Sequence, residues 1–140
     1  MQDDITQFRS LGWDFDQTLW GHENSAQFWN YIQRNPHQQT HHIVTFRTGR
    51  LFDRLWRDLA DVGSTLMPLH FNTIHGIPEA IYLAAVNGEV GGDEYFFWKG
   101  KVCREHGIEC LIDDATIEVW AGCSEYDIAY CHPDMALMCN

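Results

Sequence analysis

The chain has 140 residues, of which 45% are hydrophobic and 14% aromatic, which is typical of one globular domain and not of a disordered segment. Twenty Asp and Glu residues against nine Lys and Arg residues give a formal net charge of −11. Such a charge disfavours non-specific binding to nucleic-acid backbones and to membranes, although it leaves room for a local basic patch. We therefore expect a single domain over residues 1–140 with no membrane partner.

The first ten residues carry acids and no apolar run, and no stretch approaches the ~20 apolar residues that a membrane span requires. The five cysteines are odd in number and include no CxxC pair, so we interpret them as reduced thiols of a cytoplasmic protein. The alternative is a zinc site that includes Cys131, His132 and Cys139. Their spacing matches no zinc template.

Short apolar runs alternate with amphipathic stretches along the chain, which indicates an α/β fold with a mostly parallel sheet. The first half predicts three strands and two helices. These are a strand at 10–15, a helix that Ser25 caps, a strand at 42–46, a helix over 51–62 that Gly63 ends, and a strand near 69–74.

The second half continues the alternation of helices and strands. It predicts a short helix over 78–86, a loop marked by Gly88, Gly91 and Gly92, a helix over 94–106 that stops at Gly107, a strand at 109–112, a last short helix, and a strand at 126–130. Together these elements predict a three-layer sandwich around a five-stranded, Rossmann-like parallel sheet. The large aromatic side chains predicted to lie in the core include Phe28, Trp29, Trp56, Phe96 and Trp120.

The first candidate site follows the first predicted strand. Residues 14–18 read DFDQT, so an apolar strand delivers two carboxylates, Asp14 and Asp16, that are two residues apart. Paired carboxylates at a strand end can bind a hard cation through oxygen, and one of them can attack an electrophile, as in enzymes that form an aspartyl-phosphate. The alternative is a solvated junction between strand and loop.

Two threonines follow the second predicted strand, where residues 43–50 read IVTFRTGR. A hydroxyl at a strand end can bond a phosphoryl oxygen, and the N–H groups that open the next helix add to such an anion site. Thr48 can instead cap that helix, so we favour Thr45 for the catalytic contact. Arg47 and Thr48 remain candidate substrate-binding residues.

The two lysines of the chain lie together, at positions 99 and 101. Lys99, aimed into an acidic site, would neutralise part of its charge and bind phosphate; the alternative is a pair of solvated lysines. Asp113 and Asp114 follow another apolar strand. If that strand neighbours the first, all these acids meet beyond the carboxyl ends of the sheet, where α/β folds bind ligands and where a magnesium site would form.

In this order the four segments resemble the motifs of the haloacid dehalogenase (HAD) superfamily. The family's motifs are an apolar strand followed by DxDx[TV], a strand that ends in Thr or Ser, a Lys, and a strand that ends in an acidic pair. They are matched by residues 14–18, by Thr45 or Thr48, by Lys99, and by residues 113 and 114. The resemblance spans residues 11–114, with Gln17 where a Gly is often found.

The resemblance implies a small phosphatase that depends on Mg²⁺. Asp14 would attack phosphorus to form an aspartyl-phosphate, and Asp16 would protonate the leaving group and then activate water. Thr45 and Lys99 would hold the phosphoryl oxygens. The metal would be bound by Asp14, the backbone carbonyl of Asp16, and Asp113 or Asp114.

The motifs leave no room for the cap domain with which the family encloses small substrates. Capless members resemble enzymes that act on exposed or macromolecular phosphates or that borrow a partner's surface as a lid, so a homodimer is one expectation. Together with Arg47 and Arg50, this favours a phosphorylated small molecule such as a nucleotide, or a nucleic-acid end, as the substrate.

Two readings from other functional classes compete with the hydrolase. A receiver domain of a signalling protein also uses acids, a Thr and a Lys, but its acidic pair precedes a lone phosphoacceptor Asp, the reverse of the order here. The other is a HAD-like protein that binds phosphate or a partner without turnover. Every catalytic residue of the motifs is present in this chain, which favours the enzyme.

Overall fold

The structure is a computed structural model that describes residues 4–88 and 93–137. Its strands are β1 (Ser10–Trp13), β2 (Thr40–Thr45), β3 (Thr73–Gly76), β4 (Cys110–Ile112) and β5 (Ala129–Cys131). Its α-helices are α1 (Ser25–Arg34), α2 (Gly49–Asp53), α3 (Leu55–Asp61), α4 (Glu79–Val86), α5 (Asp93–Glu105) and α6 (Thr116–Glu125).

The five strands form one sheet in the order β3-β2-β1-β4-β5, and every neighbouring pair is parallel. Gly12 of β1 lies opposite His42 of β2 and Leu111 of β4, which fixes the register at the centre. The strands β2 and β3 lie on one side of β1, and the chain then crosses to place β4 and β5 on the other side. The point of reversal lies between β1 and β4, and this is where open α/β sheets bind their ligands.

Alternate side chains of the central strands point into two apolar clusters. Trp13, Ile43 and Ile112 lie in a cluster with residues of α1 and α3, whereas Val44 and Leu111 lie in a second cluster with residues of α5 and α6. Because strand side chains alternate between faces, each buried strand needs a helical layer on both sides. The predicted three-layer α/β sandwich is therefore confirmed.

Two glycines allow α5 and α6 to pack closely. A Cβ atom added at Gly100 would collide with the backbone of Gly122, and one added at Gly122 would lie 2.9 Å from the carbonyl oxygen of Phe96. The backbones of the two helices therefore touch at this point. The crossing helps to fix the position of α5 relative to the sheet. Lys99 lies on α5.

The helix predicted over residues 51–62 is wrong as a single element, because it breaks at Arg54 into α2 and α3. At the break, the carbonyl oxygen of Leu51 accepts a hydrogen bond of 2.9 Å from Arg47 Nη1. This contact draws a carbonyl of α2 toward a side chain outside the helix, which accounts for the irregular turn. Gly63, with φ of 85°, follows the end of α3 as predicted.

The strand near residues 69–74 begins later than predicted. Residues Pro68–His70 form a 3-10 turn, in which the His70 ring accepts a hydrogen bond of 3.0 Å from the Met67 N–H. The turn occupies the start of the predicted strand, so the chain reaches β2 only at Asn72, whose N–H donates 2.7 Å to the His41 carbonyl, and the strand register begins at Thr73. The last strand also starts late, at Ala129, because the chain turns after α6 at Asp127, with φ of 58°.

The prediction that Phe96 and Trp120 lie in the core is wrong, since they are 39% and 60% exposed. Trp98 on α5 and Val119 on α6 take the inward positions, and adjacent helical residues point about 100° apart. Gly91 and Gly92 of the predicted loop lie outside the described residues. Within the described residues, no helix is both long enough and apolar enough to cross a membrane.

Candidate active site

Two aspartates lie side by side at the carboxyl end of the sheet. Asp14 directly follows β1 and Asp113 directly follows β4, and their preceding residues, Trp13 and Ile112, are register partners. The Asp14 N–H donates a hydrogen bond of 2.9 Å to the Ile112 carbonyl. The parallel register therefore continues into the loops and brings both carboxylates to the point where the strand order reverses.

Lys99 lies between these two carboxylates. Its Nζ donates hydrogen bonds of 2.8 Å to Asp14 Oδ1 and 2.5 Å to Asp113 Oδ2. The ammonium group also lies 4.3 Å from the centre of the Phe46 ring. Lys99 is 1% exposed and Asp113 is 0% exposed, so the sequence-based alternative of a solvated lysine is excluded.

Burial and the shared cation perturb the protonation of all three groups. Burial raises the pKa of Asp14 to about 6, although the Lys99 charge opposes the change. Burial and the Asp14 charge raise the pKa of Asp113 to about 7. Burial alone would lower the pKa of Lys99, but the charges of Asp113 and Asp14 raise it above its usual value. One cation is thus shared by two carboxylates that compete for it.

A third carboxylate completes the cluster. Oxygen atoms of Asp14, Asp113 and Asp114 all lie within 4.8 Å of one another, and burial raises the pKa of Asp114. With Lys99, the ionised cluster carries a net charge of −2. Hard oxygen donors and this charge both fit Mg²⁺. In the part of the chain that the structure describes, no other group of His, Cys, Asp and Glu side chains converges in this way.

The two candidate threonines occupy different places. Thr45 ends β2 and is fully buried, and its Oγ1 accepts a hydrogen bond of 3.0 Å from the Arg47 N–H. Thr48 precedes α2 in extended backbone, but its side chain makes no capping hydrogen bond. Helix capping therefore does not explain Thr48.

Asp16 and Arg47 form a bidentate ion pair. Arg47 Nε lies 3.0 Å from Asp16 Oδ2, and Nη2 lies 2.9 Å from Asp16 Oδ1. The remaining amino group, Nη1, donates 2.7 Å to Asp58 Oδ2. The Asp16 side chain is 47% exposed, whereas that of Arg47 is only 5% exposed. The carboxylate of Asp16 lies outside the convergent acidic group.

The loop after Asp14 folds into a tight turn. Gln17 adopts φ of 61° and donates its N–H at 2.6 Å to the Trp20 carbonyl. This left-handed conformation is the one that glycine adopts most readily. The Trp20 ring stacks on Phe15 with centroids 5.8 Å apart, and His22 Nε2 lies 2.6 Å from Asp134 Oδ1.

Asp58 and Tyr130 belong to the site region but were not identified from the sequence. Asp58 lies on α3 and resembles an ordinary surface acid, yet it is buried against Arg47. Tyr130 Oη donates 2.7 Å to the backbone carbonyl of Asp113. Neither position carries a motif. The only signal for Asp58 was an acid in the helix that follows Arg47.

The described cysteines, Cys103, Cys110, Cys123 and Cys131, are all buried. Burial raises the pKa of the Cys123 thiol to about 12, which suits a thiol and not a thiolate ligand. The alternative zinc site requires Cys139, which lies outside the described residues.

Comparisons with known proteins define the fold and no more. No protein-family model and no curated protein matches the chain. A crystal structure of an uncharacterized protein from Corynebacterium glutamicum is similar, with a TM-score of 0.51 and 16% sequence identity. The likeness covers 89% of this chain and 83% of that one. It shows a shared α/β architecture.

Proposed function

We propose that the protein is a Mg²⁺-dependent phosphomonoester hydrolase that acts through an aspartyl-phosphate on Asp14. The observation that carries this proposal is the buried contact of Lys99 with Asp14 and Asp113, beside Asp114. A charged lysine is costly to bury unless opposite charges pair with it, and Lys99 is paired with the two carboxylates that follow neighbouring strands. Its position at the switch point of the sheet supports a role in binding a ligand.

The residues of the site suit the two steps of such a reaction. Asp14 attacks phosphorus as the bond to the leaving group breaks, and water then hydrolyses the phosphoenzyme. Lys99 holds Asp14 ready for attack and balances charge on the phosphoryl oxygens. Asp16 donates a proton to the leaving group and takes one from the attacking water. The Thr45 hydroxyl binds a phosphoryl oxygen.

Asp14, Asp113 and Asp114 would hold the metal, together with the backbone carbonyl of Asp16. When bound, Mg²⁺ would offset the negative charge shared by the carboxylates and the substrate phosphate. The convergence of three oxygen donors and their net charge with Lys99 support this assignment. Without a divalent cation, the carboxylates would repel a phosphate dianion.

We propose that the substrate is a nucleotide or a nucleic-acid terminal phosphate. We also propose that the enzyme is cytoplasmic. Support comes from the short connections around the site, because β1 is joined to α1 and β2 to α2 by loops with no inserted domain. An open site suits a phosphate at the end of a large molecule. A homodimer that covers the site is the alternative way to exclude water.

The test is hydrolysis of p-nitrophenyl phosphate and a panel of nucleotides, sugar phosphates and phosphorylated oligonucleotides, with Mg²⁺ and with EDTA. We expect turnover that requires Mg²⁺ and falls at least ~10⁴-fold in Asp14→Asn, because a covalent nucleophile is lost. The matched control is Asp93→Asn, at an exposed acid that begins α5. It should retain full activity.

The proposal is wrong if the wild type is inert on every phosphoester while it still binds Mg²⁺. That outcome would favour the alternative of a HAD-like or receiver-like protein that binds phosphate or a partner. Activity that survives in Asp14→Asn would instead remove the covalent mechanism.

A further inference from the structure

The Arg47 side chain is buried and makes several hydrogen bonds within the protein. Its guanidinium makes hydrogen bonds to both oxygens of Asp16, to Asp58 Oδ2 and to the Leu51 carbonyl, at 2.7–3.0 Å. A guanidinium is planar and has five N–H donors, so bonds to three separate groups fix both its position and its orientation. The guanidinium of Arg47 is thus occupied by protein partners and is poorly placed to bind a substrate.

Two aromatic rings pack against the same guanidinium. Its central carbon lies 4.3 Å from the centre of the Phe15 ring and 5.1 Å from that of Trp20. These residues flank Asp16 in the loop after β1. Arg47 therefore joins this loop to α3 through Asp58. The charge-assisted bonds lie in a partly apolar setting, where they are stronger than in water.

We propose, building on the proposed function, that Arg47 is a positioning residue for the proton transfers of Asp16, and that Asp58 holds Arg47 in place. A carboxylate has about four lone-pair sites, so a bidentate contact with Arg47 leaves two sites for the reaction. The proton passes from Asp16 to the leaving-group oxygen as the phosphorus–oxygen bond breaks. Asp16 regains a proton from the water that attacks the aspartyl-phosphate.

This role predicts an effect that depends on the leaving group. An alkoxide is a strong base and leaves only if it is protonated, whereas p-nitrophenolate is a weak base and leaves without help. Loss of positioning should therefore slow formation of the aspartyl-phosphate from alkyl phosphates far more than from p-nitrophenyl phosphate. A purely structural role of Arg47 would slow both classes equally.

The experiment compares kcat/KM for p-nitrophenyl phosphate with kcat/KM for the alkyl phosphate that the wild type hydrolyses fastest, because kcat/KM reports formation of the aspartyl-phosphate and not its hydrolysis, which both substrates share. In Arg47→Gln we expect an alkyl-phosphate loss of about 100-fold, the lower range for a general acid. The aryl-phosphate loss should remain below about fivefold because that leaving group needs little acid catalysis. Arg47→Lys keeps a positive charge, so its loss on alkyl phosphates should lie between those of the wild type and Arg47→Gln. Asp58→Asn should show a smaller loss on alkyl phosphates and again little loss on p-nitrophenyl phosphate. Arg57→Lys, at an exposed arginine of α3, is the matched control.

A second measurement tests the contact without catalysis. The Nε–H of Arg47 should give a slowly exchanging NMR signal in the wild type, and Asp16→Ala should make it exchange rapidly. If Arg47→Gln does not fold, Arg47→Lys and Asp58→Asn carry the kinetic test. Equal losses for both substrate classes, or a rapidly exchanging Nε–H in the wild type, would overturn the role of Arg47 while leaving the phosphatase intact. A wild type inert on both classes would overturn the proposed function itself.

Discussion

Lys99 is stabilised in the interior by two carboxylates, and each carboxylate depends on it in turn. The ammonium is 1% exposed and bonds to Asp14 and Asp113. Removal of one member of a buried ion pair leaves a charge without a partner, which destabilises a protein more than the pair itself stabilises it. The same residue thus supports both the fold and the proposed chemistry.

We predict that Lys99→Met lowers the free energy of unfolding by about 3 kcal/mol in EDTA at pH 8, because two buried carboxylates lose their cation. Urea denaturation followed by circular dichroism measures this. Lys101→Met, at an exposed lysine of the same helix, should change stability by less than about 0.5 kcal/mol. Equal stabilities of the two variants would show that the buried contact does not form.

His41 on β2 is a buried histidine held in its neutral form. Its Nδ1 accepts a hydrogen bond of 3.0 Å from Trp13 Nε1, and burial followed by the charge of His42 lowers its pKa to about 4. The unfolded chain therefore binds a proton at His41 between pH 6.5 and 4 that the folded chain does not bind. Stability from this residue is lost as the pH falls through that range.

We predict that the stability difference between the wild type and His41→Gln shrinks by up to about 3 kcal/mol from pH 7 to pH 4. A difference is needed because the raised pKa values of Asp14 and Asp113 act in the opposite direction between pH 4 and 7. Denaturant titrations across this range measure it, with the exposed His37 exchanged for Gln as the control. A constant difference would contradict the account.

At the scale of elements, the crossing of α5 and α6 determines where Lys99 lies. Gly100 and Gly122 allow the helix backbones to touch, and Lys99 precedes the first of them. Helices whose surfaces carry side chains pack 8–10 Å apart at their axes. A wider spacing here would move the lysine relative to Asp14 and Asp113.

We predict that Gly100→Ala lowers the free energy of unfolding by about 2 kcal/mol through overpacking. In an open helix the same exchange would raise stability by about 1 kcal/mol, so the sign distinguishes the two cases. Ser124→Ala, at an exposed position of α6, is the control for helix propensity. A Gly100→Ala variant more stable than the wild type would contradict the close contact.

At the scale of the whole molecule, the fold followed from the sequence because short apolar runs alternate with amphipathic stretches, and the strands β1 and β4 are each followed directly by an aspartate. The same pattern predicted that Asp14 and Asp113 meet if their strands are neighbours, since adjacent parallel strands end at one edge of the sheet, and β1 and β4 are neighbours. The break at Arg54 and the burial of Asp58 could not be predicted in this way. Both depend on where the Arg47 side chain lies, which local periodicity does not encode.

Trp120 was predicted to lie in the core but is exposed, and local periodicity could not show this either. A tryptophan is usually assigned to the core because its burial is favourable, but the contact between Gly100 and Gly122 decides which face of α6 turns inward. The sequence shows two glycines without their contact. The turn at Gln17, with φ of 61°, is likewise set by the folded loop and not by residue preference.

The proposed metal site predicts that Mg²⁺ binding depends on pH. Asp14 and Asp113 have raised pKa values of about 6 and about 7, and a cation binds only after their protons leave. We predict that Mg²⁺ raises the Tm more at pH 8 than at pH 5.5, and that Asp113→Asn loses most of this effect at pH 8. Thermal unfolding with Mg²⁺ and with EDTA measures it. A Tm shift independent of pH would place the metal elsewhere.

The central claim, that Asp14 forms a covalent bond to phosphorus, is tested most directly by acid quenching. The enzyme is mixed with p-nitrophenyl phosphate and Mg²⁺, quenched in acid within milliseconds, digested, and analysed by mass spectrometry. The account predicts a phosphorylated peptide that carries Asp14 and forms as fast as p-nitrophenol is first released. Turnover with no phosphorylated peptide, or with the phosphoryl group on another residue, would contradict it.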